Sequence, residues 1–286
     1  MKKAYLYAGT AIFCWSTMAV ISKILLGSLN NFQLLWASSF FAGAFLLIIN
    51  SISGKLKILR NYKLTDYFKM SIIGFPGTFL YYVFYYTGAD IMPASQAFII
   101  NYLWPVMSVV FACIILKESV TVRKIIAILI SFVGVGIVTC SEFSALNLNT
   151  LIGALACMLG AVSYGIFTAL NQKFEYEKSI STMMAYFVTF ILTTFINLFD
   201  GGLFIPVGIQ AMGIAWNGIL CMAAGTTVWI LALSNGNTAK ISNLAYITPF
   251  LSLVWTSLIL KEKITVFSVV GLIVIVIGIF VQLKDK

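Results

Sequence analysis

Residues 101–118, NYLWPVMSVVFACIILKE, return as residues 245–262, AYITPFLSLVWTSLILKE. Pro105 and Pro249 are 144 residues apart, and so are Glu118 and Glu262. At that offset Tyr102 meets Tyr246, Ser108 meets Ser252, Val110 meets Val254, and Ile115-Leu116-Lys117-Glu118 meets Ile259-Leu260-Lys261-Glu262. The register continues without a gap through Thr121-Val122 and Thr265-Val266 to Gly134 and Gly278. Self-similarity at about half the chain length marks a duplicated unit, so every element is read as one of two copies.

Each copy is too apolar for water. With 61% hydrophobic and 9% charged residues, the chain falls far below the roughly 25% charge of soluble domains. It is an integral membrane protein. Apolar runs of about 20 residues, without alternating ten-residue strands, select helices over a barrel, because only those two structures satisfy the backbone inside lipid. Spans are expected at 4–26, 32–50, 67–88, 93–116, 123–140, 150–172, 180–199, 209–233, 238–260 and 265–283. The first, preceded by Lys2 and Lys3, reads as a retained helix rather than a removed signal peptide. The fold class is therefore an all-α membrane protein of ten transmembrane helices: a first repeat at 1–140, a linker at 141–149 and a second repeat at 150–286.

Five spans per copy bring the second copy into the membrane inverted, related to the first by a pseudo-two-fold axis in the membrane plane. The basic residues agree. If the amino terminus is cytoplasmic, the inside loops carry Lys2, Lys3, Lys55, Lys57, Arg60, Lys63, Lys69, Lys117, Arg123, Lys124, Lys173, Lys178, Lys284 and Lys286, and the outside loops only Lys261 and Lys263. The formal charge of +9 is thus a topology signal and not a nucleic-acid footprint.

The residues that carry chemistry are sparse. There is no histidine, which excludes a Ser-His-Asp relay and a histidine proton shuttle. The five cysteines, Cys14, Cys113, Cys140, Cys157 and Cys221, lack paired spacing and read as packing residues. Every Asp and Glu falls in a loop or at a span end, which disfavours a pump built on a mid-membrane carboxylate. Glu118 and Glu262 are expected to cap or pair at the membrane interface.

What remains is the place where both copies interrupt a span. Pro105 and Pro249 each leave a backbone carbonyl without its helical partner, and paired interruptions in an inverted repeat point to a substrate site; a kink that serves packing is the other reading. Asn101, Tyr102 and Trp104 precede the first proline, Tyr246 and Thr248 the second. On the third span, helical spacing places Thr78, Tyr82 and Tyr85 on one face. Such rings offer flat apolar walls with a polar edge. Lys23 and Lys240 lie inside spans and either snorkel or present a charge to an anionic substrate. Lys240 aligns with Gln96 in the other copy.

The Pro-x(12)-Glu spacing in both halves resembles the drug/metabolite transporter superfamily, specifically proteins with two EamA-type repeats of five helices. Within it, Trp15-Ser16-Thr17-Met18, Asn101-Tyr102-Leu103-Trp104-Pro105 and Tyr246-Ile247-Thr248-Pro249 are similar to the bacterial aromatic amino acid exporters. The resemblance implies a ten-helix basket with both termini cytoplasmic and a central cavity lined mainly by helices 1, 3, 4, 6, 8 and 9. Tyr102 and Trp104 would line it by motif, and Tyr164 by position. Trp15 and Trp229 lie on helices of that wall, and Gln96, Lys240 and Asn243 are polar candidates outside the likeness.

The expected function is a secondary transporter that exports small neutral metabolites, aromatic or other amino acids, across a bacterial cytoplasmic membrane. It would work by alternating access around Pro105 and Pro249, with no covalent chemistry and no cofactor. Asn101, Ser16, Gln96 or Lys240 would meet the substrate's amino and carboxylate groups. The alternative is a carrier of anionic metabolites such as phosphorylated compounds, held by Lys23 and Lys240. Gly271 and Gly278 on the last span would serve a helix contact, within the chain or between chains.

Overall fold

The computed structural model describes residues 2–139, 148–235, 241 and 244–283. Among these the regular structure is helical, with no strand. Among the described residues ten long apolar helices stand out, α1 (Lys2–Leu26), α2 (Asn31–Ile52), α3 (64–91), α4 (Ala94–Ile115), α5 (Val122–Thr139), α6 (Leu148–Lys173), α7 (Lys178–Phe199), α8 (Gly208–Asn235), α9 (Ile247–Ile259) and α10 (Val266–Leu283), with a short 3-10 helix, Lys55–Asn61, between α2 and α3. They fall on the ten expected spans. Of the segment 141–149 only Leu148 and Asn149 are described, and they open α6.

Local sequence sets the helix ends. At α2 the Asn30 side chain accepts from the Gln33 amide at 2.8 Å while Gln33 Oε1 accepts from the Asn30 amide at 3.1 Å, a capping box. The fourth helix of each copy ends in the same turn. Lys117 and Lys261 take left-handed φ values of 59° and 57°, and the amides of Glu118 and Glu262 reach back to the carbonyls of Ala112 and Thr256 at 3.4 and 3.3 Å. The sequence repeat is thus a backbone repeat.

Packing has the same symmetry. α5 lies on α10 and α2 on α7, while α1 lies on α8 as α6 lies on α3. Exchanging the two copies reproduces this set. The α5–α10 crossing is close enough that a Cβ on Gly271 would sit 2.8 Å from the Gly134 carbonyl, and one on Gly278 2.2 Å from Ser131 Oγ. These glycines serve a contact within the chain. Cys14, Cys157 and Cys221 are buried and, with Cys113, unpaired by disulfides; Cys140 lies outside the described residues. Large apolar side chains such as Leu129, Val133 and Phe195 cover the periphery, each 60% exposed, as lipid contact requires.

Candidate functional site

Four helices are interrupted near mid-span, and the interruptions surround one cavity. α1 breaks at Thr17, and α4 breaks at Tyr102 and Leu103, just ahead of Pro105 in the first turn of its second half. α3 and α8 carry wide π-turns at Pro76–Leu80 and Trp216–Ala224, a feature frequent at functional sites. A turn at Ala245 and Tyr246 precedes α9, which begins at Ile247 with Pro249 in its first turn.

The cavity has a volume of about 590 Å³, within the ~300–1,000 Å³ usual for small-molecule sites. Its walls are aromatic. Trp15 tilts against Trp229 at 5.3 Å between ring centroids, and Tyr164 sits 4.9 Å from Tyr81, 5.2 Å from Trp104 and 5.5 Å from Phe167. Gly77 and Gly225 make room for these rings. A Cβ on Gly77 would meet the Phe167 ring at 2.3 Å, and one on Gly225 the Trp15 indole nitrogen at 2.7 Å.

Polar edges interrupt the aromatic surface. Asn101 Nδ2 donates to the Tyr81 hydroxyl at 2.8 Å. Thr78 Oγ1 bonds Thr189 Oγ1 at 2.9 Å and the Gly74 carbonyl at 3.0 Å, tying the π-turn of α3 to α7. Tyr186 donates to the Met222 carbonyl at 3.2 Å. At the mouth, where α6 ends and α7 begins, the wall consists of Asn171, Gln172 and Lys178, and Lys178 donates to the Asn171 and Phe174 carbonyls. Lys178 is the one charged residue among the described lining residues.

Of the positions singled out from sequence, Trp15, Thr78, Tyr82, Asn101, Tyr102, Trp104, Tyr164 and Trp229 lie on this wall. Ser16, Tyr85, Gln96 and Tyr246 do not. Ser16 donates to the Phe13 carbonyl and accepts from Trp255 Nε1 at 3.0 Å. Tyr85 is fully buried behind Tyr81. Gln96 is buried in the first turn of α4, and Tyr246 packs its ring on Phe280 at 5.1 Å. Lys240 and Asn243 lie outside the described residues. Lys23 directs its ammonium at the carbonyls of Ala89, Asp90 and Met92, away from the cavity.

Sequence reading also misses part of the wall. Helix α7 contributes Lys178, Thr182 and Tyr186, although the resemblance left that helix out. Their i, i+4, i+8 spacing places them on one helical stripe, a signal present in the sequence. Phe98 and Phe167 also line the cavity, and nothing distinguishes them from other apolar span residues.

A two-repeat helical bundle with interrupted helices around an aromatic cavity is the architecture of a multi-pass membrane transporter. The chain belongs to the EamA-like transporter family, which matches residues 2–140 and again 151–283. It is similar to an uncharacterized transporter of Archaeoglobus fulgidus, 24% identical over 248 residues that cover 84% of this chain and 86% of the relative. It is also similar to the aromatic amino acid exporter YddG of Ancylobacter novellus, 22% identical over 255 residues, 88% of this chain and 86% of that one. A solved structure titled only as the crystal structure of a protein superposes with a TM-score of 0.69 over both chains in full, at 19% identity, and supports the fold.

Proposed function

We propose that this transporter exports small neutral metabolites, aromatic amino acids first among them, across a cytoplasmic membrane by alternating access. The observation that carries the reading is the cavity wall itself: indole and phenol rings from α1, α3, α4, α6, α7 and α8, with amide and hydroxyl groups at their edges and no carboxylate among the described lining residues. Such a surface suits an aromatic side chain, and Asn101, Tyr81 and Thr78 offer hydrogen bonds to its polar end. The name of the Ancylobacter relative is consistent with it.

The distribution of Lys and Arg supports cytoplasmic termini. The cavity, which reaches the exposed Gln172 at the α6–α7 end, then opens to the cytoplasm. In this reading the units 1–140 and 150–286 rock against each other about the breaks ahead of Pro105 and Pro249. The anionic alternative loses one of its two lysines, because Lys23 is committed to backbone carbonyls.

The test is counterflow in proteoliposomes, using labelled aromatic, aliphatic and acidic amino acids and a sugar phosphate, with and without a pH gradient. Saturable flux of tryptophan or phenylalanine is expected. Flux of the sugar phosphate alone would overturn the reading.

A further inference from the structure

Lys55, Lys57, Arg60, Lys63 and Lys69 all fall between the end of α2 and the second turn of α3. The 3-10 helix Lys55–Asn61 repeats about every three residues, so Leu56 and Leu59 share the face that packs on the core, while Lys57 and Arg60 share the exposed one. Lys55 is paired with Glu177 at 2.5 Å. Lys57, Arg60, Lys63 and Lys69 are exposed.

Helix α3, at 64–91, is about 42 Å long at ~1.5 Å per residue and exceeds the ~30 Å hydrocarbon layer, so its first turns stand among lipid headgroups. There Leu64, Phe68 and Ile72, spaced four residues apart, are 85%, 68% and 53% exposed and form one stripe toward the lipid. Lys69 lies beside that stripe, with the exposed Thr65 one turn before it. It is about 7–8 Å along the axis from Leu64. Long side chains on a helix lean toward its N-terminus, which brings the Lys69 ammonium back toward the end that carries Lys63 and Arg60. An open groove on this face is lined by Leu64, Thr65, Tyr67, Phe68, Lys69 and Ser71.

We propose that this end of α3 is a binding site for an anionic phospholipid, in which Arg60, Lys63 and Lys69 hold the phosphate and an acyl chain lies along Leu64, Phe68 and Ile72. Charge selects the headgroup: the one acid of the segment, Asp66, accepts from the Lys63 amide at 2.9 Å and the Tyr176 hydroxyl at 3.2 Å, which leaves the exposed cations to attract an anion. Depth selects a lipid over a soluble acidic partner, because Lys69 sits beside side chains that face the acyl layer. The site also bears on the cavity mouth. The Glu177 amide donates to the Tyr62 hydroxyl at 3.1 Å, so the connection that holds the headgroup grips the α6–α7 turn next to Lys178, and a bound lipid braces that turn. The inference rests on the membrane fold and not on the identity of the substrate.

The test is lipid binding to the purified full chain, read by native mass spectrometry with phosphatidylglycerol and phosphatidylcholine of the same acyl chains. Phosphatidylglycerol should bind at least about tenfold more tightly. Arg60→Gln, Lys63→Gln and Lys69→Gln should each weaken it about fivefold, the equivalent of ~1 kcal/mol per charge, and leave phosphatidylcholine unchanged. All three positions are exposed, so the variants keep the fold. Lys263→Gln removes an exposed cation between α9 and α10 and should bind like the parent chain. Inorganic phosphate should not displace the lipid, because it has no acyl chain to lay on the apolar stripe. Equal affinity for the two lipids, or a loss in the three variants no greater than in Lys263→Gln, overturns the site. Displacement by inorganic phosphate also overturns it, in favour of a soluble anion.

Discussion

The hydroxyl of Tyr102 donates to the carbonyl oxygen of Ala245 at 2.5 Å. Ala245 lies four residues before Pro249, whose ring denies that carbonyl its helical partner. The deficit in one repeat is therefore met by a side chain of the other, and the Thr248 amide adds a second donor at 3.0 Å. The two interrupted helices are bonded to each other beside the cavity. Tyr102→Phe removes the cross-repeat bond and should lower stability by about 1 kcal/mol, read as a fall of ~2–4 °C in the thermal midpoint of the purified protein. An unchanged midpoint would show that the bond contributes nothing net.

Trp104 stands between Tyr102 and Tyr164, at 6.2 and 5.2 Å between centroids, with its ring on the cavity. Trp104→Ala should weaken apparent affinity for an aromatic substrate by about 5- to 30-fold, the equivalent of one to two kcal/mol, with the protein still inserted. Trp104→Phe should recover most of it. Concentration dependence of counterflow in the two variants checks this.

Much of this architecture was legible in the chain, and α3 shows where legibility stops. Hydropathy located its span, but its distortion at Pro76 was not read from the sequence. The expected face of Thr78, Tyr82 and Tyr85 assumed regular 3.6-residue turns. The π-turn at Pro76–Leu80 breaks that register between Thr78 and the tyrosines after it; of these Tyr81 and Tyr82 line the wall, and Tyr85 stacks behind Tyr81. The matching π-turn in α8 contains no proline and left no mark in the sequence. The Glu118 and Glu262 positions followed from the repeat. The bonds of Glu262 to Ala94 and Ser95 did not, because the repeat does not say which distant helix end meets the carboxylate.

At the α5–α10 crossing, backbone approaches backbone. A Cβ on Gly271 would sit 2.4 Å from Val138 Cγ2 and 2.8 Å from the Gly134 carbonyl, whereas a Cβ on Gly136 would meet nothing within 4 Å. Gly271→Leu should destabilise by at least ~1–3 kcal/mol through overpacking. Gly136→Ala on α5, the other helix of this crossing, should be neutral or slightly stabilising, since alanine is the better helix former. Fluorescence size-exclusion profiles after heating distinguish the two. Equal behaviour would contradict the close crossing.

The most direct measurement is equilibrium binding of radiolabelled tryptophan to the purified protein in detergent, with unlabelled competitors. The account predicts saturable binding that phenylalanine and tyrosine displace, that a sugar phosphate leaves untouched, and that Trp104→Ala weakens. Displacement by the sugar phosphate but not by phenylalanine, or binding indifferent to Trp104→Ala, would contradict an aromatic cavity as the site of recognition.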